Sequence, residues 1–411
     1  MKQQQLVTLL VLIALPALAA GAAAAGVVAL LTHADAGRVL AKPELYLLRV
    51  SVGTPPRAVA LTLDTGSDLV WTQCAPCHDC FDQGVLPVLD PSASNTYAPL
   101  PCDAPLCRAL PFTSCDAAGG DRSCVYAYHY GDKSLTVGHL ADDEFTFAGE
   151  TRRVTFGCGH FNKGIFQANE TGIAGFGRGR WSLPSQLNVT TFSYCFTSMF
   201  DSASSVVTLG GGGGELYRDA HAGDVRTTRL IRNPSQPSLY FVSLLAITVG
   251  NTRIAVPETR VRRSPAAATA IIDSGASITT LPEEVYEAVK AAFVAQVRLP
   301  AGCVDGSALD ICFALPAAAF GWRRRAAAAV AVPALTFHLD GGADWELPRE
   351  NYVFEDHAAR VMCVVLDAAA GGEQIAVIGN YQQQNTHVVY DLESDTLSFA
   401  PARCDKLAAS P

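Results

Sequence analysis

The stretch Leu61-Thr62-Leu63-Asp64-Thr65-Gly66-Ser67 has a diverged second copy at Ile271-Ile272-Asp273-Ser274-Gly275-Ala276. In each copy a strand-forming apolar run leads into Asp-Thr/Ser-Gly. The likeness extends downstream: Gly175, preceded by Ile173-Ala174, stands 111 residues after Asp64, and Gly379, preceded by Val377-Ile378, stands 106 residues after Asp273. One Asp-Ser/Thr-Gly is an ordinary turn signal, because these residue types all favour turns. Two copies, with the same flanks in the same order at nearly equal spacing, indicate a twofold internal repeat in which each half supplies one carboxylate.

The chemistry of such a pairing is specific. Two carboxyls brought face to face cannot both ionise cheaply, so they share a proton and titrate in two separated steps. The ionised member can take a proton from water while the protonated member hydrogen-bonds a carbonyl. Gly66 and Gly275 leave room for the two loops to approach, and the hydroxyls of Thr65 and Ser274 can tie neighbouring backbone in place. Asp64 and Asp273 are therefore the candidate catalytic pair.

Composition fits a packed protein around such a site. The chain has 411 residues, 49% hydrophobic and 17% charged, which excludes global disorder, a collagen-like rod and a coiled coil. The net charge is −9, or −10 without Lys2, and a nucleic-acid binder would need a basic face. The one dense basic run, Arg323-Arg324-Arg325, reads as a solvated loop. No short-period repeat supports a structural wall protein.

The N-terminus reads as a secretory signal over residues 1–25: Lys2, an apolar run from Leu6 to Ala19, and small residues in an A-x-A pattern at Ala17-Leu18-Ala19. An anchor is disfavoured by Pro16 and by the lack of a basic stop, so no membrane association is expected after cleavage. Thirteen cysteines in an oxidising compartment imply disulfides with one thiol left over. Cys74, Cys77 and Cys80 are spaced closely enough for a metal, but a ferredoxin-type run wants a fourth cysteine where Gly84 stands. Spacing alone leaves the connectivity open. Asn169-Glu170-Thr171 and Asn188-Val189-Thr190 are glycosylation sequons.

Short alternating or β-branched runs at Tyr46 to Val50, Ala58 to Leu63, Val361 to Val365 and Thr386 to Tyr390 predict strands. A helix is predicted from Pro282 to Val297, where Val285, Ala288, Val289, Ala292 and Phe293 recur at helical spacing behind Glu283-Glu284. Gly210 to Gly214 reads as a loop. It is not a phosphate loop, because no Gly-Lys-Ser/Thr follows. In Val125-Tyr126-Ala127-Tyr128-His129-Tyr130 the alternation puts three tyrosines on one strand face, either a surface aromatic ladder or part of a site, and Gly131-Asp132 supplies turn chemistry.

At these residues the chain resembles the pepsin-like aspartic proteases, and more closely their plant nepenthesin-like branch. The likeness is carried by Gly53-Thr54-Pro55-Pro56, Asp64 through Cys74, Tyr128-His129-Tyr130-Gly131-Asp132, Gly175-Phe176-Gly177-Arg178-Gly179 and Ile378-Gly379-Asn380-Tyr381-Gln382-Gln383-Gln384-Asn385. It covers about Glu44 to Cys404. The resemblance implies an all-β, bilobed fold with a few short helices and a central substrate cleft. It makes Asp64 and Asp273 catalytic and Tyr130 the flap tyrosine over the substrate, with Trp71 its hydrogen-bond partner. It also implies the pairs Cys74–Cys77, Cys80–Cys158, Cys102–Cys124, Cys107–Cys115, Cys195–Cys404 and Cys312–Cys363, leaving Cys303 odd.

Three departures from the family pattern stand out. Ala276 occupies a place that usually carries Ser or Thr, and Lys133 a flap-tip place that usually carries Gly. Residues 26–43 are a short residual prosegment with little apolar surface to hold it in a cleft. The expected organisation is then an N-terminal lobe at 44–235, with the flap and the Cys-rich insertion, and a C-terminal lobe at 236–411. The expected protein is a secreted monomer, extracellular or vacuolar, that hydrolyses polypeptide by an Asp-activated water, with no metal or cofactor. The alternative is a non-catalytic, inhibitor-like binding protein on the same fold.

Overall fold

The computed structural model describes residues 27–33, 45–116, 122–166, 169–201, 203–211, 222–258, 268–302, 309–316 and 330–407. The signal region, Gly212 to Gly214, Cys303 and Arg323 to Arg325 lie outside them. Among the described residues no helix is long and apolar enough to cross a membrane.

The architecture is mostly β and bilobed. Strands expected from sequence form at Tyr46–Val52, Arg57–Asp64, Val361–Val364 and Thr386–Asp391. The predicted helix spans Glu283–Gln296, with Pro282 at its N-cap. Val285, Tyr286, Val289, Ala292 and Phe293 on that helix are buried, and each large apolar side chain so buried contributes about 1.5–3 kcal/mol. Proline fits the helix start because the first N–H groups lack intrahelical partners.

Sheet topology explains the spacing of the repeat. In the first half Gly172–Gly175 runs parallel to Arg57–Asp64, setting Ile173 opposite Thr62 and Gly175 opposite Asp64. In the second, Ala376–Ile378 runs parallel to Ala270–Ile272, setting Ile378 opposite Ile272. Each returning strand also pairs antiparallel with a third: Trp71–Gln73 in one half and Thr279–Leu281 in the other. The long interval after each Asp is the chain needed to come back alongside it.

One large sheet carries most of the first half and continues into the second, where Thr191–Cys195 pairs with Thr386–Asp391 and that strand pairs with Thr396–Pro401. Buried aromatics fill the space beneath: Phe192 stacks on Tyr390 at 4.4 Å between centroids, and Tyr194 and Tyr390 share a hydroxyl hydrogen bond of 3.0 Å. Smaller sheets complete the second half.

The segment expected as a residual prosegment contributes an interior strand. Val27–His33 lies between Ser205–Leu209 and Tyr46–Val52, antiparallel to both, with Ala29 and Leu31 buried. Residues 34–44 lie outside the described part.

The disulfides correct four of the six expected pairs. Cys195–Cys404 and Cys312–Cys363 form as expected, but the others are Cys74–Cys158, Cys77–Cys80, Cys102–Cys115 and Cys107–Cys124. The reason is strand placement. Trp71–Gln73 runs parallel to Glu150–Lys163 and delivers Cys74 beside Cys158, with Cα atoms 5.3 Å apart, which leaves Cys77 and Cys80 to close their own loop. Cys107 and Cys124 are both buried in one apolar cluster, whereas Cys115 is exposed and Cys102 half-buried. Burial sorts the four into inner and outer pairs.

Candidate active site

Asp64 ends the strand Arg57–Asp64 and Asp273 follows Ala270–Ile272, so each carboxyl emerges at a strand end beside its parallel partner. Reciprocal hydrogen bonds clamp the two loops. The Thr65 N–H donates to Ser274 Oγ at 3.0 Å, and the Ser274 N–H donates to Thr65 Oγ1 at 2.9 Å. The Ser274 hydroxyl also donates to the Leu63 carbonyl at 2.8 Å, and the Thr65 hydroxyl to the Ile272 carbonyl at 3.2 Å. Thr65 and Ser274 are fully buried, where such bonds resist exchange with water.

The clamp presses each carboxyl against the glycine of the other loop. A Cβ on Gly66 would meet Asp273 Oδ2 at 2.5 Å, and one on Gly275 would collide with Asp64 Oδ1. Glycine is required here for close approach rather than for an unusual dihedral. Each Asp also accepts its own loop N–H at 2.8 Å, Asp64 from Gly66 and Asp273 from Gly275.

The two carboxyls are not equivalent. The Ser67 hydroxyl donates to Asp64 Oδ2, whereas the matching residue beside Asp273 is Ala276. Burial raises both carboxyls above the ordinary range. For Asp64 the Ser67 and Gly66 donors oppose that rise, while for Asp273 the neighbouring Asp64 charge adds to it. The hydroxyl donor on Asp64 alone favours Asp64 as the ionised member of a pair that titrates as one unit.

Further residues hold the two loops. Asp68 accepts from the Gly179 N–H at 2.8 Å and from the Ser238 hydroxyl at 2.5 Å, joining segments 170 residues apart. Asn380 Nδ2 donates to the Ser274 carbonyl at 3.0 Å, and Gln383 Nε2 to that of Ile378 at 2.8 Å. The polar run after Gly379 is thus the buried lining of the second loop.

A hairpin closes over the pair. Ser123–His129 and Leu135–Phe147 are antiparallel, joined through Tyr130 to Ser134. Trp71 Nε1 donates to the Tyr130 hydroxyl at 2.7 Å, and the Asp68 N–H to the Tyr128 hydroxyl at 3.2 Å, so this tyrosine face looks into the molecule. The Lys133 N–H donates to the Tyr130 carbonyl at 3.0 Å, and Lys133 has φ +73°, which explains why glycine suits the turn. Between hairpin and carboxyls lies a pocket of about 270 Å³ lined by Asp64, Gly66, Tyr130, Asp273 and Gly275. Trp71 is fully buried behind it.

Sequence reading missed part of this pocket. Thr62, Ile173, Phe166 and Glu170 also line it, and in the sequence Glu170 is marked only as the middle of a sequon. The available signal was alternation: Thr62 stands two residues before Asp64 and shares its strand face. Cys74, Cys77 and Cys80, whose spacing admitted a metal, are all disulfide-bonded.

Two loops of one repeat, each bringing a carboxyl to a cleft beneath a hairpin, define the bilobed, pepsin-like class of fold. Residues 46–211 match the family model described as xylanase inhibitor N-terminal, and 239–401 match xylanase inhibitor C-terminal. Aspartic proteinase nepenthesin-1 of Nepenthes gracilis is 38% identical over 87% of this chain and 78% of its own. Aspartyl protease family protein 2 of Arabidopsis thaliana is 37% identical, over 87% of this chain and 71% of its own. Among solved structures, conglutin gamma from lupine seeds superposes with a TM-score of 0.72 at 18% identity, covering 93% of this chain and 98% of its own, a likeness of fold alone. The chain therefore belongs to the pepsin-like aspartic protease family, in its plant nepenthesin-like branch.

Proposed function

We propose that this protein is an aspartic endopeptidase that hydrolyses peptide bonds with a water activated between Asp64 and Asp273. The observation that carries this reading is the inequivalent carboxyl pair, Asp64 buried and Asp273 half-buried, facing one pocket beneath the hairpin. Asp64, ionised, takes a proton from the water as its oxygen attacks the carbonyl carbon, and Asp273 gives its proton to the carbonyl oxygen. Collapse of the tetrahedral intermediate returns a proton to Asp273, breaks the C–N bond and delivers the proton held by Asp64 to the leaving nitrogen. Tyr130 and Trp71 hold the hairpin that shields these transfers from bulk solvent, and Gly66 and Gly275 give the extended substrate access to both carboxyls. The reading needs no metal or cofactor. Secretion as a monomer, to the cell exterior or vacuole, completes it.

A second reading, a binding protein that has lost catalysis, is favoured by the inhibitor description of the two matching family models. The experiment is incubation of folded protein with a denatured protein substrate over about pH 2–8, beside Asp64→Asn and Asp273→Asn. The peptidase reading expects peptide products in an acid window and a loss of at least about 100-fold in each folded variant. No products from folded wild type would favour the binding protein.

A further inference from the structure

The stretch Gly175-Phe176-Gly177-Arg178-Gly179 has no part in the hydrolysis above, yet it wraps closely around one acid. That acid is Asp68, half-buried in the loop that follows Asp64. A Cβ on Gly177 would collide with Asp68 Oδ1 and one on Gly179 with Asp68 Oδ2, so both glycines serve close approach to this carboxyl. The Phe176 N–H donates to the Asp64 carbonyl at 2.7 Å and the Gly177 N–H to the Ser67 carbonyl at 2.8 Å, so the stretch follows the catalytic loop along its length.

The Asp68 carboxyl grips two segments at once: Oδ1 accepts the Gly179 N–H at 2.8 Å, and Oδ2 accepts the Ser238 hydroxyl at 2.5 Å. Ser238 precedes the strand Phe241–Val242, which pairs with Ala270–Ile272, the strand that leads into Asp273. The Asp68 N–H donates to the Tyr128 hydroxyl at 3.2 Å, and the Tyr128 ring lies 5.1 Å from that of Tyr130 in the hairpin over the pair. One residue earlier, the Ser67 hydroxyl donates to Asp64. The turn Ser67-Asp68 therefore touches the catalytic carboxyl and the hairpin together, and the Asp68 side chain is its anchor.

The titratable groups around Asp68 are Asp64, Tyr128, Tyr240 and Arg178. Burial holds both phenols neutral far above the acid range, and Arg178 is committed to Asp395. Burial also raises the Asp68 carboxyl, but the grip survives protonation: the neutral acid accepts from Gly179 with one oxygen and donates to the Ser238 hydroxyl with the other. At Asp64 the Ser67 donor lowers the carboxyl more than the Asp68 charge raises it.

We propose that Asp68 is a positioning residue for the hydrolysis: held by Gly179 and Ser238, it fixes the turn from which Ser67 bonds Asp64 and the Asp68 N–H bonds Tyr128. The catalytic carboxyl and the hairpin are thereby kept in one register. This rests on the peptidase reading.

The test compares Asp68→Ala, which removes the grip, with Asp68→Asn, whose amide keeps it by accepting from Gly179 and donating to Ser238. Both lack the charge, so their difference is geometric. With a peptide substrate, Asp68→Ala should lower kcat about tenfold or more, because displacement of a catalytic group is costly, and Asp68→Asn should recover most of that loss. The acid limb of the kcat/KM profile is a readout that a merely structural role would not move. Release of Ser67 from Asp64 makes the ionised form less favoured, so the limb should stand about 0.5 or more higher in pH in Asp68→Ala than in Asp68→Asn. Tyr128→Phe removes only the acceptor of the Asp68 N–H and should raise KM about two- to tenfold without moving the limb. If Asp68→Ala does not fold, Ser238→Ala removes one of the two bonds and should move the limb the same way by less; an unmoved limb there would overturn the proposal. So would coincident limbs in the Ala and Asn variants, or an Asn variant as impaired as Ala, and an unchanged KM in Tyr128→Phe would overturn the link to the hairpin. These results refute the positioning role alone, whereas no cleavage by folded wild type refutes the peptidase reading and the proposal with it.

Discussion

Ser67 donates its hydroxyl to Asp64, and the residue that matches Ser67 beside Asp273 is Ala276. A hydroxyl donor favours the ionised carboxylate, so its absence leaves Asp273 the more strongly protonated member of a pair already raised by burial. Ala276→Thr restores a donor on that side. The variant should lose activity at lower pH on the alkaline limb than wild type, because the shared proton departs earlier. The pH profile of kcat/KM reports the free pair and is the measurement to make. Superimposable profiles, or a limb moved upward in the Thr variant, would contradict the assignment.

The same raised carboxyls make stability depend on pH. A group whose folded pKa lies above its unfolded value contributes stability fully below the unfolded value, near 3.8, and loses it as pH rises through the folded one. Asp64, Asp68 and Asp273 are all raised, chiefly by burial, and act in the same direction. Wild-type melting temperature should therefore fall as pH rises from about 4 towards neutral. Asp273→Asn is neutral throughout and also removes the charge coupling to Asp64, so its fall should be shallower. Equal slopes in thermal scans of the two proteins would show that the pair is not buried as described.

How much was legible in sequence follows from which contacts are local. The Pro282 to Val297 helix was readable because apolar spacing, an acidic first turn and a proline all act within one element. The carboxyl pair was readable because the motif occurs twice with the same returning strand. Glu170 was not, since its meaning depends on Thr62, 108 residues away. The disulfides of the Cys-rich stretch failed for a related reason. Cys115 and Cys124 stand directly opposite on adjacent strands, yet they pair with Cys102 and Cys107, whose positions beside them are set by contacts that no spacing in the sequence encodes.

That sorting is testable without an activity assay. Non-reducing proteolysis with mass spectrometry should recover Cys102 linked to Cys115 and Cys107 linked to Cys124, with Cys74 linked to Cys158. The inner link should also resist reductant longer, because Cys107 and Cys124 are buried while Cys115 is exposed. Recovery of Cys102 with Cys124, or of Cys74 with Cys77, would overturn the strand placement that separates them.

The strand Val27–His33 decides whether the N-terminal segment is removable. It is hydrogen-bonded on both sides: Leu31 stands opposite Ser205 on one neighbour and opposite Leu48 on the other, and Leu31 is fully buried. A segment that merely plugs a cleft leaves the core intact when it departs, and activity rises. Removal of this one would open the facing edges of two strands and a gap in the apolar core, and unpaired edges invite association. A chain beginning at residue 44 should therefore melt lower than one beginning at residue 26, aggregate more readily and show no activation step. Within the longer chain Leu31→Ala should cost about 2 to 5 kcal/mol, as expected for a large side chain lost from a packed interior. Thermal scans and acid-activation time courses of the two lengths make the comparison. A shortened protein of unchanged melting temperature and higher activity would show instead that the strand is a detachable inhibitory segment.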